Sequence, residues 1–224
     1  RLAVVNEIFA SSGLSPLAQR EPGQPLSLEN LVGLLPDQRS EQAFDHPLVT
    51  VLVPAFNAED TLPTALEALR RQSWRNLEVL VIDDASTDST AEIAEQYAAR
   101  DGRFKLIRRP FCEGAYVARN TGLRHARGDL ITVHDADDWS HPEKIERQVR
   151  YLLSHPATAA CTSHWVRCSD NLEFGTWRAD SATLIRSRSA VSSCGVRSWP
   201  GRRTTNSGIQ DSRPRNSRST TRLS

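Results

Sequence analysis

The chain has 224 residues, a hydrophobic fraction of 38% and a formal net charge of +1, which suits one substantial domain with appendages. This balance excludes a chain that is disordered throughout and argues against a nucleic-acid-binding protein. The four cysteines are scattered, which is typical of reduced thiols rather than of a zinc site or a disulfide framework. No apolar stretch approaches the roughly 18 residues that span a membrane. We therefore expect a cytoplasmic protein, and association with the inner face of a membrane stays open.

Residues 1–47 are weakly patterned and are interrupted by several prolines. Leu2 to Phe9 is typical of the end of a helix, and residues 27–35 favour a short helix with Ser27 as its N-cap. Proline breaks up anything longer. We interpret this region as a linker or as the remnant of a preceding domain.

Strand and helix patterns alternate from residue 48 onward. Apolar runs predict strands at residues 49–53, 77–82, 104–107, 130–133 and 158–166, and a further strand at residues 174–177. Apolar residues at helical spacing predict helices at residues 59–71, 90–100, 115–125 and 142–153. This order predicts an α/β domain over residues 48–178, with an open, mostly parallel sheet covered by helices on both faces.

The last part of the chain, residues 179–224, has a different composition. From residue 181 it contains nine Arg and one acidic residue among many Ser and Thr. We predict that this tail is disordered or non-native and adds little to stability, because it has few apolar residues to bury. The alternative is a genuine basic extension that contacts anionic partners.

Polar residues follow three of the predicted strands. The segment 54–57 follows the first strand, Asp83 and Asp84 follow the second, and Asp135, Asp137 and Asp138 follow the fourth. The carboxyl ends of parallel strands meet at one edge of the sheet, where ligands bind. The alternative for each cluster is purely structural, such as a helix N-cap or a solvated acidic turn.

At that edge each residue type suggests a role toward a nucleotide. Phe56 can stack on a base, and Asp83 can accept a hydrogen bond from a base N–H. Asp135 and Asp137 suit Mg²⁺ or Mn²⁺, which prefer oxygen ligands and would neutralise a diphosphate. Arg119 supplies a further cation. No glycine-rich phosphate loop follows the first strand, and no serine nucleophile elbow or zinc-protease motif is present.

Taken together and in order, segments 49–59, 71–74, 78–90, 118–122 and 134–139, with Pro142, resemble glycosyltransferase family 2 over residues 48–155. The resemblance implies a GT-A fold, a nucleotide-sugar donor that is most often UDP-linked, and a divalent metal at an Asp-x-Asp motif. It also implies inverting transfer to a glycan, polysaccharide or lipid-linked acceptor. The donor-binding residues that it implies are Pro54, Phe56 in place of the usual Tyr, Asn57, Glu59, Asp83, Arg119 and Asp135. The metal ligands that it implies are Asp135 and Asp137.

The acceptor-side half of the family pattern is missing, and no general base can be named. Asp180 and Asp211 are isolated, so we expect that the acceptor half of the domain is truncated. Three rival interpretations follow: a non-catalytic nucleotide-sugar binder, a receiver-type signalling domain and a sugar-phosphate nucleotidyltransferase. The receiver lacks its later Lys, because no Lys follows Lys144, and the nucleotidyltransferase lacks its glycine-rich loop.

Overall fold

The computed structural model describes residues 1–34, 47–169 and 172–186. The strands are β1 (Leu17–Gln19), β2 (Leu31–Gly33), β3 (Val49–Ala55), β4 (Leu77–Asp83), β5 (Phe104–Arg108), β6 (Leu130–Val133), β7 (Ala160–Cys168) and β8 (Phe174–Arg186). The helices are α1 (Leu2–Ser11), α2 (Leu62–Arg70), α3 (Thr90–Arg100), α4 (Ala115–His125) and α5 (Lys144–Ser154). A short 3₁₀ turn, Leu28–Asn30, precedes β2.

A six-stranded sheet in the order β5-β4-β3-β6-β8-β7 forms the centre of the fold. Strand β3 pairs in parallel with both β4 and β6, and β4 pairs in parallel with β5. Strand β8 runs antiparallel to β6 and β7 and extends the sheet on one side. The predicted α/β architecture with a mostly parallel sheet is therefore confirmed.

The two faces of the sheet are covered by different helices. On one face, Val51 of β3 and its neighbours pack against apolar residues of α2, α3 and α5. On the other face, Leu52 and Ile82 pack against α4. Helix α4 lies very close to the sheet at Gly122, where an added Cβ would be 2.7 Å from Cδ1 of Ile82. This alternation follows from the pleat of a strand, which points successive side chains to opposite faces.

The C-terminal boundary differs from the expectation. Strand β8 continues to Arg186, and its backbone pairs with β6 at Leu130. The sheet therefore extends past residue 178, where the sequence placed the end of the domain. An antiparallel partner for β6 accounts for this, since β6 would otherwise leave one edge of its backbone unpaired. The remainder of the predicted tail, residues 187–224, lies outside the described residues.

Residues 1–34 form a small folded unit where the sequence predicted a linker or remnant. Helix α1 is followed by an antiparallel β1–β2 hairpin. Leu17, Leu31 and Leu172 form the centre of an apolar cluster that also contains Phe9 and Trp139. This unit therefore packs on the segment that follows β6 and on the start of α5. Residues 35–46, the rest of the predicted linker, are not among those described.

A buried carboxylate lies on β4 near the amino ends of the parallel strands. The Glu78 side chain is 3% exposed and accepts hydrogen bonds from Thr50 Oγ1, Lys105 Nζ and the backbone N–H and side chain of Arg127. Burial would raise the pKa of Glu78, but these donors hold it at about 2. A cavity of about 400 Å³ at this edge is lined by the same charged groups, which already bond to one another.

Within the described ranges, no helix is both long enough and apolar enough to cross a membrane.

We predict that Glu78→Gln lowers the free energy of unfolding at pH 7 by about 2–3 kcal/mol, because it weakens a buried, hydrogen-bonded charge. Because the folded pKa lies below the ordinary value of 4.5, the stabilisation is complete above pH 4.5 and is lost as the pH falls toward 2. Urea unfolding of parent and variant between pH 7 and pH 3 measures whether their free energies of unfolding approach each other as the pH falls. The exposed Glu92→Gln is the control, with a change below about 0.5 kcal/mol. A difference that stayed constant over this range would contradict the assignment.

Candidate active site

The carboxyl ends of β4, β3 and β6 lie side by side, because β3 pairs with both of the others. Ala55 is opposite Asp83 in the register of β3 and β4. Beyond the end of β6, the His134 N–H donates to the Leu52 carbonyl at 3.0 Å. The three polar segments predicted to converge are therefore neighbours at one sheet edge.

A depression of about 330 Å³ opens at this edge. Its lining residues are Pro54, Phe56, Asn57, Ala58, Thr61, Ala115, Arg119, Asp135, Ala136 and Asp137. Most of the residues proposed from the sequence are thus in one place. Glu59 and Asp83 are not among the lining residues.

The loop after β3 presents an aromatic ring to solvent. Asn57 adopts a φ of 47°, in the left-handed region that Asn tolerates better than most residues. Its N–H donates to Ser86 Oγ at 3.0 Å, and its Oδ1 accepts from the Thr87 N–H at 2.9 Å. Phe56, held between this anchored residue and β3, remains 49% exposed. The ring is therefore available to a planar ligand.

Glu59 lies next to the depression, in the loop between β3 and α2, and bonds to the loop before α3. Its Oε2 accepts from the Ser89 N–H at 3.0 Å, and its own N–H donates to Asp88 Oδ2 at 3.1 Å. A carboxylate at the start of α3 satisfies a free helix N–H and interacts favourably with the helix dipole. Glu59 thus ties two loops together beside the depression.

The two neighbouring aspartates at the end of β4 have different surroundings. Asp83 is buried and accepts from the Ser86 N–H at 3.2 Å. Asp84 forms an ion pair with buried Arg109 and accepts from the Gly114 N–H at 2.6 Å. Gly114, with a φ of 90°, begins α4. Asp84 therefore fixes the loop before α4, a role that the sequence did not separate from that of Asp83.

Residues 135–138, which we call the acidic turn, follow β6. The Asp138 N–H donates to the Asp135 carbonyl at 3.1 Å and closes the turn. The Asp135 carboxylate pairs with Arg119 of α4, whose guanidinium is 5.6 Å from the centre of the Tyr116 ring. Arg119 thus already lies against one of the two proposed metal ligands.

A second cation faces the acidic turn from α5. Lys144 Nζ donates to Ser140 Oγ at 3.1 Å. Burial lowers the pKa of Lys144, whereas the charges of Asp138 and Asp135 act in the opposite direction. The pKa of Asp138 is raised to about 6 by burial of its carboxyl group and by the charge of Asp135, while the charge of Lys144 lowers it. The residue as a whole is exposed.

His134 lies beneath the acidic turn and is buried. Its Nδ1 is 3.0 Å from the Asp135 carbonyl. Burial and the charge of Lys144 lower the pKa of His134 to about 3, so the ring is neutral. A neutral imidazole here adds no charge to the neighbourhood of the carboxylates.

The carboxylates of the acidic turn suit a metal ion that takes few of its ligands from the protein. No group of three or more His, Cys, Asp or Glu in the described part of the chain has metal-binding geometry. Mg²⁺ commonly binds through one or two carboxylates and completes its coordination with water and substrate phosphates. Asp137, which is exposed, and Asp135 offer such a pair.

Comparison with known proteins agrees with this geometry. The model of the family described as "Glycosyl transferase family 2" matches residues 50–206. The chain belongs to this family. Its sheet and helices are those of the GT-A fold, as the ordered motifs implied.

Three similar proteins illustrate the family. The putative glycosyltransferase EpsH of Bacillus subtilis is 38% identical over 128 residues, which are 57% of this chain and 35% of EpsH. The Escherichia coli protein WfaP, a "UDP-Glc:alpha-D-GlcNAc-diphosphoundecaprenol beta-1,3-glucosyltransferase", is 30% identical over 119 residues, which are 53% of this chain and 47% of WfaP. The mannosyltransferase PcManGT of Pyrobaculum calidifontis, solved with GDP-Man and Mn²⁺, superposes with a TM-score of 0.56 and 25% identity over 67% of this chain and 47% of its own. The chain therefore spans less than half the length of each of these relatives.

Several contributors to this family 2 site were missed from the sequence, and Ala58 and Ala136 of the lining are two of them. Thr61 and Ala115 line the depression, and Lys144 faces the acidic turn. Thr61 and Ala115 have no distinctive chemistry. Lys144 belongs to a helix, and a helix lysine is ordinarily exposed to solvent, so no signal marked it.

We predict that Asp84→Asn destabilises the domain by about 3 kcal/mol, because Asp84 is the buried one of the two carboxylates that pair with the Arg109 guanidinium. Urea unfolding measures the loss, and amide exchange in residues 109–114 should become faster. Glu113→Gln is the matched control, because the Glu113 side chain is 57% exposed and water can replace it at Arg109. Equal stabilities for Asp84→Asn and the parent would show that Asp84 does not hold the loop.

Proposed function

We propose that this chain is the donor-binding part of a metal-dependent, inverting glycosyltransferase. In this proposal a UDP-linked sugar is the donor, and a glycan, polysaccharide or lipid-linked sugar is the acceptor. The observation that carries the proposal is the depression at the carboxyl edge of the sheet. It combines an exposed aromatic ring with a cation and two carboxylates in a chain of glycosyl transferase family 2.

The nucleoside would bind at the end of the depression near β3. The exposed Phe56 ring gives a base a surface for stacking. Asp83, opposite Ala55 in the sheet register, would accept a hydrogen bond from a base N–H. Its backbone bond from Ser86 already orients the carboxylate toward the loops of this edge.

The diphosphate would bind near the acidic turn. Asp135 and Asp137 would hold Mn²⁺ or Mg²⁺, which supplies Lewis-acid stabilisation to a leaving diphosphate. Arg119 is the cationic side chain already in contact with Asp135. With a metal held by that carboxylate, Arg119 would be available to a phosphate oxygen, to which a guanidinium donates strongly.

The names of similar proteins support a nucleotide-sugar donor but differ in its identity. WfaP is named for UDP-Glc and an undecaprenol-linked acceptor, whereas PcManGT was solved with GDP-Man. We favour UDP, because Phe56 and Asp83 suit a small base with one readable N–H. A lipid-linked acceptor would place the reaction in the cytoplasm at the inner face of a membrane.

A non-catalytic nucleotide-sugar binder is the second candidate. The chain spans less than half of the relatives described above, and inverting transfer needs a base to deprotonate the acceptor hydroxyl. No such base is identified among the described residues. The observed site accordingly supports donor binding, and a transfer assay decides whether the chain also acts on an acceptor.

We predict that Asp137→Ala abolishes the Mn²⁺-dependent part of UDP binding, because the carboxylates repel a diphosphate unless a cation lies between them. Phe56→Ala should weaken UDP binding about tenfold and keep its metal dependence, because stacking contributes about 1–3 kcal/mol and involves no ion. Calorimetric titration of UDP with Mn²⁺ and then with a chelator separates the two effects.

Asp60→Ala is the control for net charge, because Asp60 is exposed but does not line the depression. It should bind UDP as the parent does. Parent-like binding by Asp137→Ala would instead make the acidic turn a solvated helix-capping segment.

Transfer itself is tested with a radiolabelled UDP-sugar panel and a lipid-linked acceptor. Product with inverted anomeric configuration would establish the enzyme. Metal-dependent UDP-sugar binding without product or donor hydrolysis would favour the binder. If neither UDP nor GDP bound in the presence of Mn²⁺, the proposed function would be wrong.

A further inference from the structure

The segment that follows the acidic turn, residues 139–143, is in contact with the N-terminal unit. That unit, residues 1–34, lies outside the span matched by the family model, which begins at residue 50. These contacts therefore support residues 139–143 from a part of the chain that the family motifs do not include.

Ser15 is held at both of its backbone polar groups. Its N–H donates to Glu143 Oε2 at 2.6 Å, and its carbonyl is 3.0 Å from His141 Nε2. The Glu143 N–H donates to His141 Nδ1 at 3.1 Å, so Nδ1 is the acceptor and Nε2 carries the proton donated to Ser15. Two side chains from one turn thus fix a single residue of the N-terminal unit.

Apolar packing reinforces these hydrogen bonds. The Phe9 and His141 rings meet edge to face with centroids 4.8 Å apart. Trp139, two residues after Asp137, belongs to the cluster built on Leu17 and Leu31. At the hairpin, a Cβ added to Gly33 would be 2.7 Å from Pro142 Cγ, so β2 lies directly against the turn.

We propose that the N-terminal unit positions the acidic turn for the metal and the donor diphosphate. On one side the turn is anchored to the sheet through the His134–Leu52 hydrogen bond. On the other side its continuation is anchored by Ser15, Phe9 and Gly33. The inference rests on the proposed function, because it assigns these contacts a role in donor binding.

The physical need for a second anchor is electrostatic. Three carboxylates within four residues repel one another and favour an open, variable turn. A binding site requires its ligands within about 0.5 Å of the productive geometry, supported by groups that are themselves fixed. Holding residues 139–143 against a folded hairpin reduces the conformations open to Asp137, so less ordering remains for the metal to impose.

The test compares Glu143→Ala with two matched variants. Glu143→Ala removes the acceptor of the Ser15 N–H, and Glu143→Gln keeps an oxygen there. Glu29→Ala removes a different bond between the N-terminal unit and the core, from Thr64 Oγ1 to Glu29 Oε1 at 3.1 Å, far in sequence from the turn. All three start from a Glu that accepts a hydrogen bond across the same interface.

We expect Glu143→Ala to weaken Mn²⁺-dependent UDP binding about tenfold, with near-parental binding in Glu143→Gln and Glu29→Ala. Residual binding with a chelator should be equal in all four proteins, because stacking on Phe56 does not need the turn. Exchange of the amides of residues 135–143 should be faster in Glu143→Ala alone.

Gly33→Ala is an independent perturbation that leaves Glu143 and His141 intact and decides the matter if Glu143→Ala does not fold. Its added methyl group would push on Pro142, and we expect binding weakened severalfold. If Glu143→Ala and Gly33→Ala both bound UDP with Mn²⁺ as the parent does, this inference would be wrong and the proposed function would stand. If Glu143→Ala did not fold, parental binding by Gly33→Ala would have the same meaning. A parent protein that bound neither UDP nor GDP with Mn²⁺ would overturn the proposed function, and this inference with it.

Discussion

The parallel pairing of β3 with both β4 and β6 is the constraint on which the site depends. All seven residues of β3 are buried, so this strand is held at its register by packing on both faces as well as by its two neighbours. A slip of one residue would exchange the two faces of the strand. It would also separate Phe56 from Asp83 and the acidic turn from both. The stability of the core and the composition of the depression therefore have the same origin.

The charge balance at the acidic turn explains why a folded chain can keep three carboxylates so close together. Arg119 pairs with Asp135 on one side, and Lys144 faces Asp135 and Asp138 on the other. Two cations against three carboxylates leave an excess of negative charge, while His134 stays neutral. Such a turn would repel a diphosphate by itself. In the proposed function a divalent cation reverses the sign of the local field, so metal and nucleotide would bind cooperatively.

From residue 48 onward the sequence predicted the strands, the helices and the edge at which the site lies, because burial and periodicity are local signals. The short helix predicted at residues 27–35 is wrong beyond the 3₁₀ turn Leu28–Asn30, because Leu31–Gly33 pairs with β1 as a strand. The sequence assigned Asp83 to the donor by motif position but gave Asp84 no role of its own, since the Asp84 ion pair with Arg109 joins the ends of two different strands. The motif position that assigned Glu59 to the donor did not show that its carboxylate bonds to the Ser89 N–H. Antiparallel β8 was underestimated because its polar, Arg-containing sequence lacks a strand pattern beyond residue 177. These differences come from long-range contacts.

The contacts of the N-terminal unit join residues that lie far apart in sequence. Ser15 and His141 are 126 residues apart, and neither belongs to a pattern that predicts their meeting. Prolines and weak periodicity made residues 1–34 resemble a linker, yet a hairpin of three-residue strands gains its order from Trp139, Pro142 and Leu172 rather than from its own propensity. The dependence is mutual, because His141 and Glu143 of the segment after the acidic turn both bond to the backbone of Ser15. Each of these two marginal segments is thus fixed by the other, and in the role proposed for the N-terminal unit this limits the positions open to the carboxylates of the acidic turn.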